Sequence, residues 1–195
     1  MKKFRLDILT FHRLTRQDET YFIPPMAICE KTFSGLVEAL SKSRKIFDFG
    51  ELMGEKSTGF NQKGIILTFD DAYRDNYELA MPILKRKGVP AVFFIPYYPV
   101  EKGDGYWWDH LFAIAKTDYK GFLDWHRQSG AATIVRNQCL LDINYPRNQL
   151  CRDIVRAMND VPETDRQRYL SSIAKRFGTY EGERLLMNWD EIRRL

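Results

Sequence analysis

Residues 63–71 read KGIILTFDD, and this stretch decides the fold. Ile65, Ile66, Leu67 and Phe69 form a nearly unbroken apolar run, the pattern of a parallel strand buried on both faces. Upstream, residues 4–11, FRLDILTF, alternate Phe4, Leu6 and Ile8 with Arg5 and Asp7 and then turn apolar, which predicts the first strand. Residues 15–25 are polar, carry Pro24-Pro25 and read as a loop. Thr32 is expected to cap a helix bearing Phe33, Leu36, Val37 and Leu40, and a strand follows near Lys45 to Asp48. Downstream, Pro82 suits the first turn of a helix through Lys87, with Gly88 closing it. VPAVFFIP, residues 89–96, then predicts another buried strand. Strands alternating with helices over the first 96 residues predict an α/β fold with a parallel sheet.

Between Gly105 and Met187 the pattern changes. Trp108, Leu111, Phe112 and Ala115 recur at intervals of three and four, as do the apolar residues in 145–161 and 163–178, which predicts a mostly helical insertion. Within it only ATIVRNQCLL, residues 132–141, suits a short strand pair. The chain closes on LLMNWDEIRRL, where Asn188 can cap a helix that meets no stop signal before Leu195.

The 195 residues are 44% hydrophobic and 29% charged, a globular composition sized for one domain or a piece of a larger one. A net charge of +4, with Arg152 and Arg156 interleaved with Asp153 and Asp160, gives no one-signed patch, so no nucleic-acid partner is expected. Cys29, Cys139 and Cys151 are odd in number and lack C-x-x-C spacing, which argues for reduced thiols and against a disulfide framework or structural zinc cage. Lys2 and Lys3 are followed by Arg5, Asp7 and His12, which interrupt any signal-peptide core, and no stretch approaches the roughly 18–20 apolar residues of a membrane span. A cytoplasmic location is the expectation.

Asp70 and Asp71 stand at the C-terminal end of the central strand, where ligands sit in open and closed α/β folds. Neighbouring residues of an extended strand face opposite ways, so both acids serve one site only if the chain turns there. A cation would separate their roles, one carboxylate binding it and the other taking a proton from water. A solvated Asp-Asp turn is the bland alternative. His12, at the end of the first strand, is expected on the same rim, either lining the site or as a hydrogen-bonded structural histidine. His110 and His126 read as surface or packing residues, and Arg74, Asp75 and Asn76 as caps of the next turn rather than substrate contacts. Tyr97, Tyr98, Tyr106, Trp107 and Trp108 are either a sugar-stacking rim or core beneath the insertion.

LTFDDAYRDNYELAMPILKRKGVPAVFFIP, residues 67–96, resembles the opening motif of the polysaccharide deacetylase family, the carbohydrate esterases with a NodB-homology domain. ILTFHRL at 8–14 resembles the family's first strand, GYWWDHLFAIA at 105–115 a segment of its longer members, and LLMNWDEIRRL at 185–195 the element ahead of its second motif. The resemblance implies a metal-dependent hydrolase that removes N-acetyl groups from a glycan, on a distorted (β/α) barrel. It implies Asp70 as general base and Asp71 as a ligand of the metal, most suitably zinc. Two further histidine ligands belong to a His-Ser/Thr-x-x-His motif that this sequence lacks; that motif, a later arginine and a histidine acid are expected beyond Leu195. Ala72 stands where the family usually has Gly, which implies a different local turn. His12, Tyr73, Trp107 and Trp108 are the expected substrate contacts.

The expected organisation is a truncated barrel: residues 1–104 its N-terminal part, 105–187 a helical insertion, and 188–195 the start of the next barrel element. Such a fragment is expected to be inactive or weak and to self-associate through its exposed barrel edge. The alternative is a non-catalytic carbohydrate-binding or protein-interaction module that keeps the front of the barrel.

Overall fold

The computed structural model describes residues 6–16, 26–53, 63–103, 105–128, 146–178 and 184–195. The chain divides into two compact units, 1–104 with 184–195, and 105–183. The second boundary falls before Arg184 rather than after Met187, because Leu186 and Met187 are buried within the first unit.

In the first unit the centre is β5, Gly64–Phe69, buried at every position. It pairs in parallel with β1, Leu6–Phe11, over the full length of both. Its other edge takes β4, Lys45–Ile46, at the start and β6, Val92–Phe93, at the end, also in parallel. A separate parallel pair joins β2, Arg13–Thr15, to β3, Ala27–Cys29. The reading of 89–96 as a buried strand is thus corrected. Only two residues pair with β5, and Phe94 is 55% exposed.

Helices cover one face of this sheet. α1, Glu30–Ser43, begins directly off β3, so its cap position is Cys29 and Thr32 lies inside the first turn. A short α2 spans Phe49–Met53. A π-helical turn, Asn76–Ala80, precedes α3, Met81–Lys87. Pro82 would crowd the carbonyl four residues back in a regular helix; here the Met81 N–H reaches five back, to Asn76 O, and the widened turn makes room. Gly88, at φ 61°, ends α3 as expected. Leu9, Phe11, Leu67 and Phe69 pack with Phe33 and Val37 of α1 and Ile83 and Leu84 of α3. On the opposite face Ile8 is 61% exposed, and the Thr68 hydroxyl donates to that of Thr10. The parallel sheet agrees with the expected α/β class.

Gly64 starts β5 beneath the buried ring of Phe47, where an added Cβ would lie 1.8 Å from Cε2. Gly64→Ala is expected to destabilise the chain by about 2 kcal/mol through overpacking. Adding Phe47→Leu should recover part of that loss in urea titrations, and an unchanged midpoint in Gly64→Ala would contradict the packing.

The first unit continues through α4, Tyr97–Lys102, and ends in α9, Trp189–Ile192. Asn188 caps α9, accepting from the Glu191 N–H while the Glu191 carboxylate accepts from the Asn188 N–H.

The second unit comprises α5 (Trp107–Thr117), α6 (Tyr119–Gln128), α7 (Arg147–Asn159) and α8 (Glu163–Phe177). Residues 132–141, and Cys139 with them, lie outside the described residues. Its core includes Leu111, Phe112, Phe122, Leu150, Ile154 and Ile173. No described helix is long and apolar enough to cross a membrane.

His126 is fully buried in this unit, with Nδ1 3.2 Å from the Tyr169 hydroxyl. Burial pushes its pKa down to about 4 and that of the Tyr169 hydroxyl up. The folded unit therefore resists a proton that the unfolded chain accepts near pH 6.5. Stability is full above that pH and falls as pH drops toward 4, by about 3 kcal/mol. Trp125, 5.5 Å from the Tyr169 ring, reports on this core by fluorescence. Denaturation followed there should show the loss in the native chain and a flatter profile in His126→Gln; parallel profiles would refute it.

Candidate active site

β1 and β5 run in step, with Phe11 opposite Phe69, so His12 and Asp70 are the next residues off neighbouring strand ends. The Asp70 N–H donates to Phe11 O at 2.9 Å and extends that register by one residue. Beyond Asp70 the chain reverses through two left-handed residues, Asp71 at φ 69° and Ala72 at φ 52°. The turn brings the Asp71 carboxylate to His12, with Oδ2 2.9 Å from Nδ1. One strand end thus presents two acids and an imidazole.

Ala72 adopts the left-handed conformation itself, correcting the expectation that its side chain imposes a different turn. Such a residue costs about 1–2 kcal/mol, and its surroundings hold it there. Its methyl is buried against Val100 and Met187, its carbonyl accepts from the Met187 N–H at 2.8 Å, and the Arg74 N–H donates to Leu185 O at 2.7 Å. Between these two bonds Tyr73 forms an antiparallel bridge with Leu186.

His12 is partly buried, and its pKa is raised. The main cause is its hydrogen bond to Asp71; the charges of Asp71 and Asp70 add to it, and burial opposes them. The site therefore favours the imidazolium, which can hold and release a proton.

A second clamp lies beside the first. Asp75 accepts from Arg13 Nε at 2.8 Å and from the Leu14 N–H at 2.9 Å, tying the loop after β5 to β2. The Arg13 guanidinium lies over the Tyr73 ring, 4.5 Å from its centroid. Asp75 occupies the cap position of the π-helical turn, yet no side-chain cap bond forms there. The expectation that it caps the turn is therefore corrected, because its carboxylate is directed to β2 instead. Arg74 pairs with Glu78 at 2.8 Å, and Asn76 is fully buried. Arg184 grips both oxygens of Glu191, at 2.7 and 2.8 Å, and holds that carboxyl below the usual range.

Of the expected site residues, the structure brings Asp70, Asp71 and His12 together. Tyr73 is 0% exposed and offers a ligand no surface, which corrects its expected substrate contact; it is packed by the Leu186 bridge and Arg13. Trp107 and Trp108 belong to the second unit, where their rings meet edge to face and Tyr106 stacks on Trp108. Asp109 there completes a capping box with Tyr106. The Arg13–Asp75 pair was not legible in sequence, because no spacing rule relates residues 62 apart.

A zinc site takes three or four His, Cys, Asp or Glu ligands. No group of three or more such residues able to hold an ion occurs among the described residues. The described residues therefore do not fit a complete zinc site.

Residues 57–120 match the sequence profile of the polysaccharide deacetylase family. A 35-residue stretch is 46% identical to YxkH of Bacillus subtilis strain 168, named as a polysaccharide deacetylase; it covers 18% of this chain and 12% of that protein. Among solved structures, the chain is similar to IcaB from Ammonifex degensii, with 22% identity, a TM-score of 0.39 and coverage of 47% of this chain and 40% of that one. It is also similar to the deacetylase PplD of Streptococcus pyogenes, with 18% identity, a TM-score of 0.41 and coverage of 57% and 52%. The matched stretch includes the strand that carries the Asp pair, so residues 57–120 are similar to part of a polysaccharide deacetylase domain.

Proposed function

We propose that Asp70, Asp71 and His12 form one side of the active site of a de-N-acetylase acting on an N-acetylated glycan. The observation that carries this reading is the convergence of two carboxylates and an imidazole at the paired ends of β1 and β5, with His12 Nδ1 2.9 Å from Asp71. Amide hydrolysis needs a base to activate water and an acid for the departing amine. Asp70 takes a proton from water as the water oxygen bonds to the acetyl carbon. The tetrahedral intermediate then collapses, the carbon–nitrogen bond breaks, and His12 gives its proton to the sugar amine as acetate leaves. Asp71 orients the imidazole. The role of proton donor, expected from a histidine beyond Leu195, thus has a candidate within this chain. Zinc is the cation the resemblance implies, and Asp71 would be one of its ligands, supplying a carboxylate oxygen to a cation that polarises the acetyl carbonyl.

The test is acetate release from a chitooligosaccharide, with and without added zinc, by the protein made from the continuous reading frame that holds these residues. Release that depends on Asp70 supports the proposal. Glycan binding without any release would place the chain in the non-catalytic class.

A further inference from the structure

Phe94, Tyr97 and Tyr98, which follow β6, are 55%, 57% and 75% exposed. Tyr97 and Tyr98 meet edge to face at 5.4 Å, and Tyr97 lies 5.8 Å from the Trp189 ring at a 40° tilt. Trp189 Nε1 donates to the Glu101 carboxylate at 2.8 Å, which sets an exposed acceptor beside the rings. The patch is attached to the acid pair on both sides. The Phe94 N–H donates to the carbonyl of Phe69, the residue before Asp70, and Trp189 packs on the cluster that contains Ala72, the residue after Asp71.

Exposed aromatic faces without a polar partner favour an apolar protein surface. Rings interrupted by phenol hydroxyls and a fixed carboxylate suit a ligand that is apolar on its flat faces and hydroxylated at its edge. A pyranose ring has that form. We infer that Tyr97, Tyr98, Trp189 and Glu101 form a sugar-stacking subsite that holds a residue of the glycan chain away from the acetyl group attacked at Asp70. This inference rests on the proposed deacetylase reading for its substrate class and names a binding site separate from the reacting residues.

The probe is chitopentaose, with N-acetylglucosamine as its one-ring counterpart, titrated against the whole protein and followed by calorimetry. The pentamer should bind more tightly than the monomer. Tyr97→Ala with Tyr98→Ala should weaken the pentamer about tenfold and leave the monomer unchanged, while Tyr97→Phe with Tyr98→Phe should retain most of the affinity. Asp70→Asn should bind the pentamer as the native chain does, so pentamer binding that needs the tyrosines but comes without acetate release would sustain the subsite and reject the deacetylase. No preference for the pentamer, or equal pentamer affinity in the alanine variant, overturns the subsite. So does an alanine variant that only abolishes self-association in sedimentation, which would make the patch an interface between copies.

Discussion

Asp70→Asn is expected to reduce acetate release by about 10²–10⁴-fold, the usual contribution of a positioned general base. The substitution keeps the shape of the side chain and removes its basicity. The backbone there is fixed by the Asp70 N–H bond to Phe11 O and does not depend on the carboxylate. The loss should therefore fall on kcat, with KM and the urea midpoint near native values. Asp71→Asn should behave differently: it removes the charged partner that holds the His12 imidazole and raises its pKa. If Asp70→Asn kept native turnover, Asp70 could not be the base, and the proposed division of labour between the two acids would fail.

Asp75→Ala is expected to destabilise the first unit by about 3–5 kcal/mol. The Asp75 and Arg13 side chains are only 12% and 14% exposed, so removing the carboxylate leaves a desolvated guanidinium and an unpaired Leu14 N–H. The contrast is Asp7 with Arg44, whose side chains are 30% and 43% exposed; breaking that pair should cost under about 1 kcal/mol. Asp75→Asn retains an acceptor for the Leu14 N–H and should fall between. Urea titrations would order the three, and a loss below 1 kcal/mol for Asp75→Ala would show that the clamp is not structural. Because His12 directly precedes Arg13, loosening the clamp is also expected to loosen the imidazole. Turnover in Asp75→Asn should therefore drop more than its stability alone explains.

Much of this was legible where local chemistry dominates. The run from Ile65 to Phe69 gave the buried strand, Pro82 and Gly88 gave the limits of α3, and Asn188 gave a cap, because each signal acts within a few residues. The shortness of β6 was not legible, since apolar residues in VPAVFFIP fit a strand whether or not a partner extends beside them. β2 and β3 were missed for the opposite reason: three-residue strands carry no period to read. In the site, the placement of His12 followed from counting along parallel strands. Its bond to Asp71 depends on two left-handed residues, and neither Asp71 nor Ala72 announces that conformation.

The Tyr73–Leu186 bridge joins segments separated by the whole of residues 105–183. The loop that carries Asp71 and Ala72 is pinned by residues that leave the ribosome long after the loop itself. Tyr73 and Leu186 are 113 residues apart, so at about 5–20 residues per second the interval is on the order of 6–23 s. During synthesis β1, β5 and their helices can assemble first, while the acid-bearing turn waits for a distant stretch of chain to fix it. Contacts of such high sequence separation slow folding. The order of emergence makes the acid-bearing turn a late part of its unit to mature.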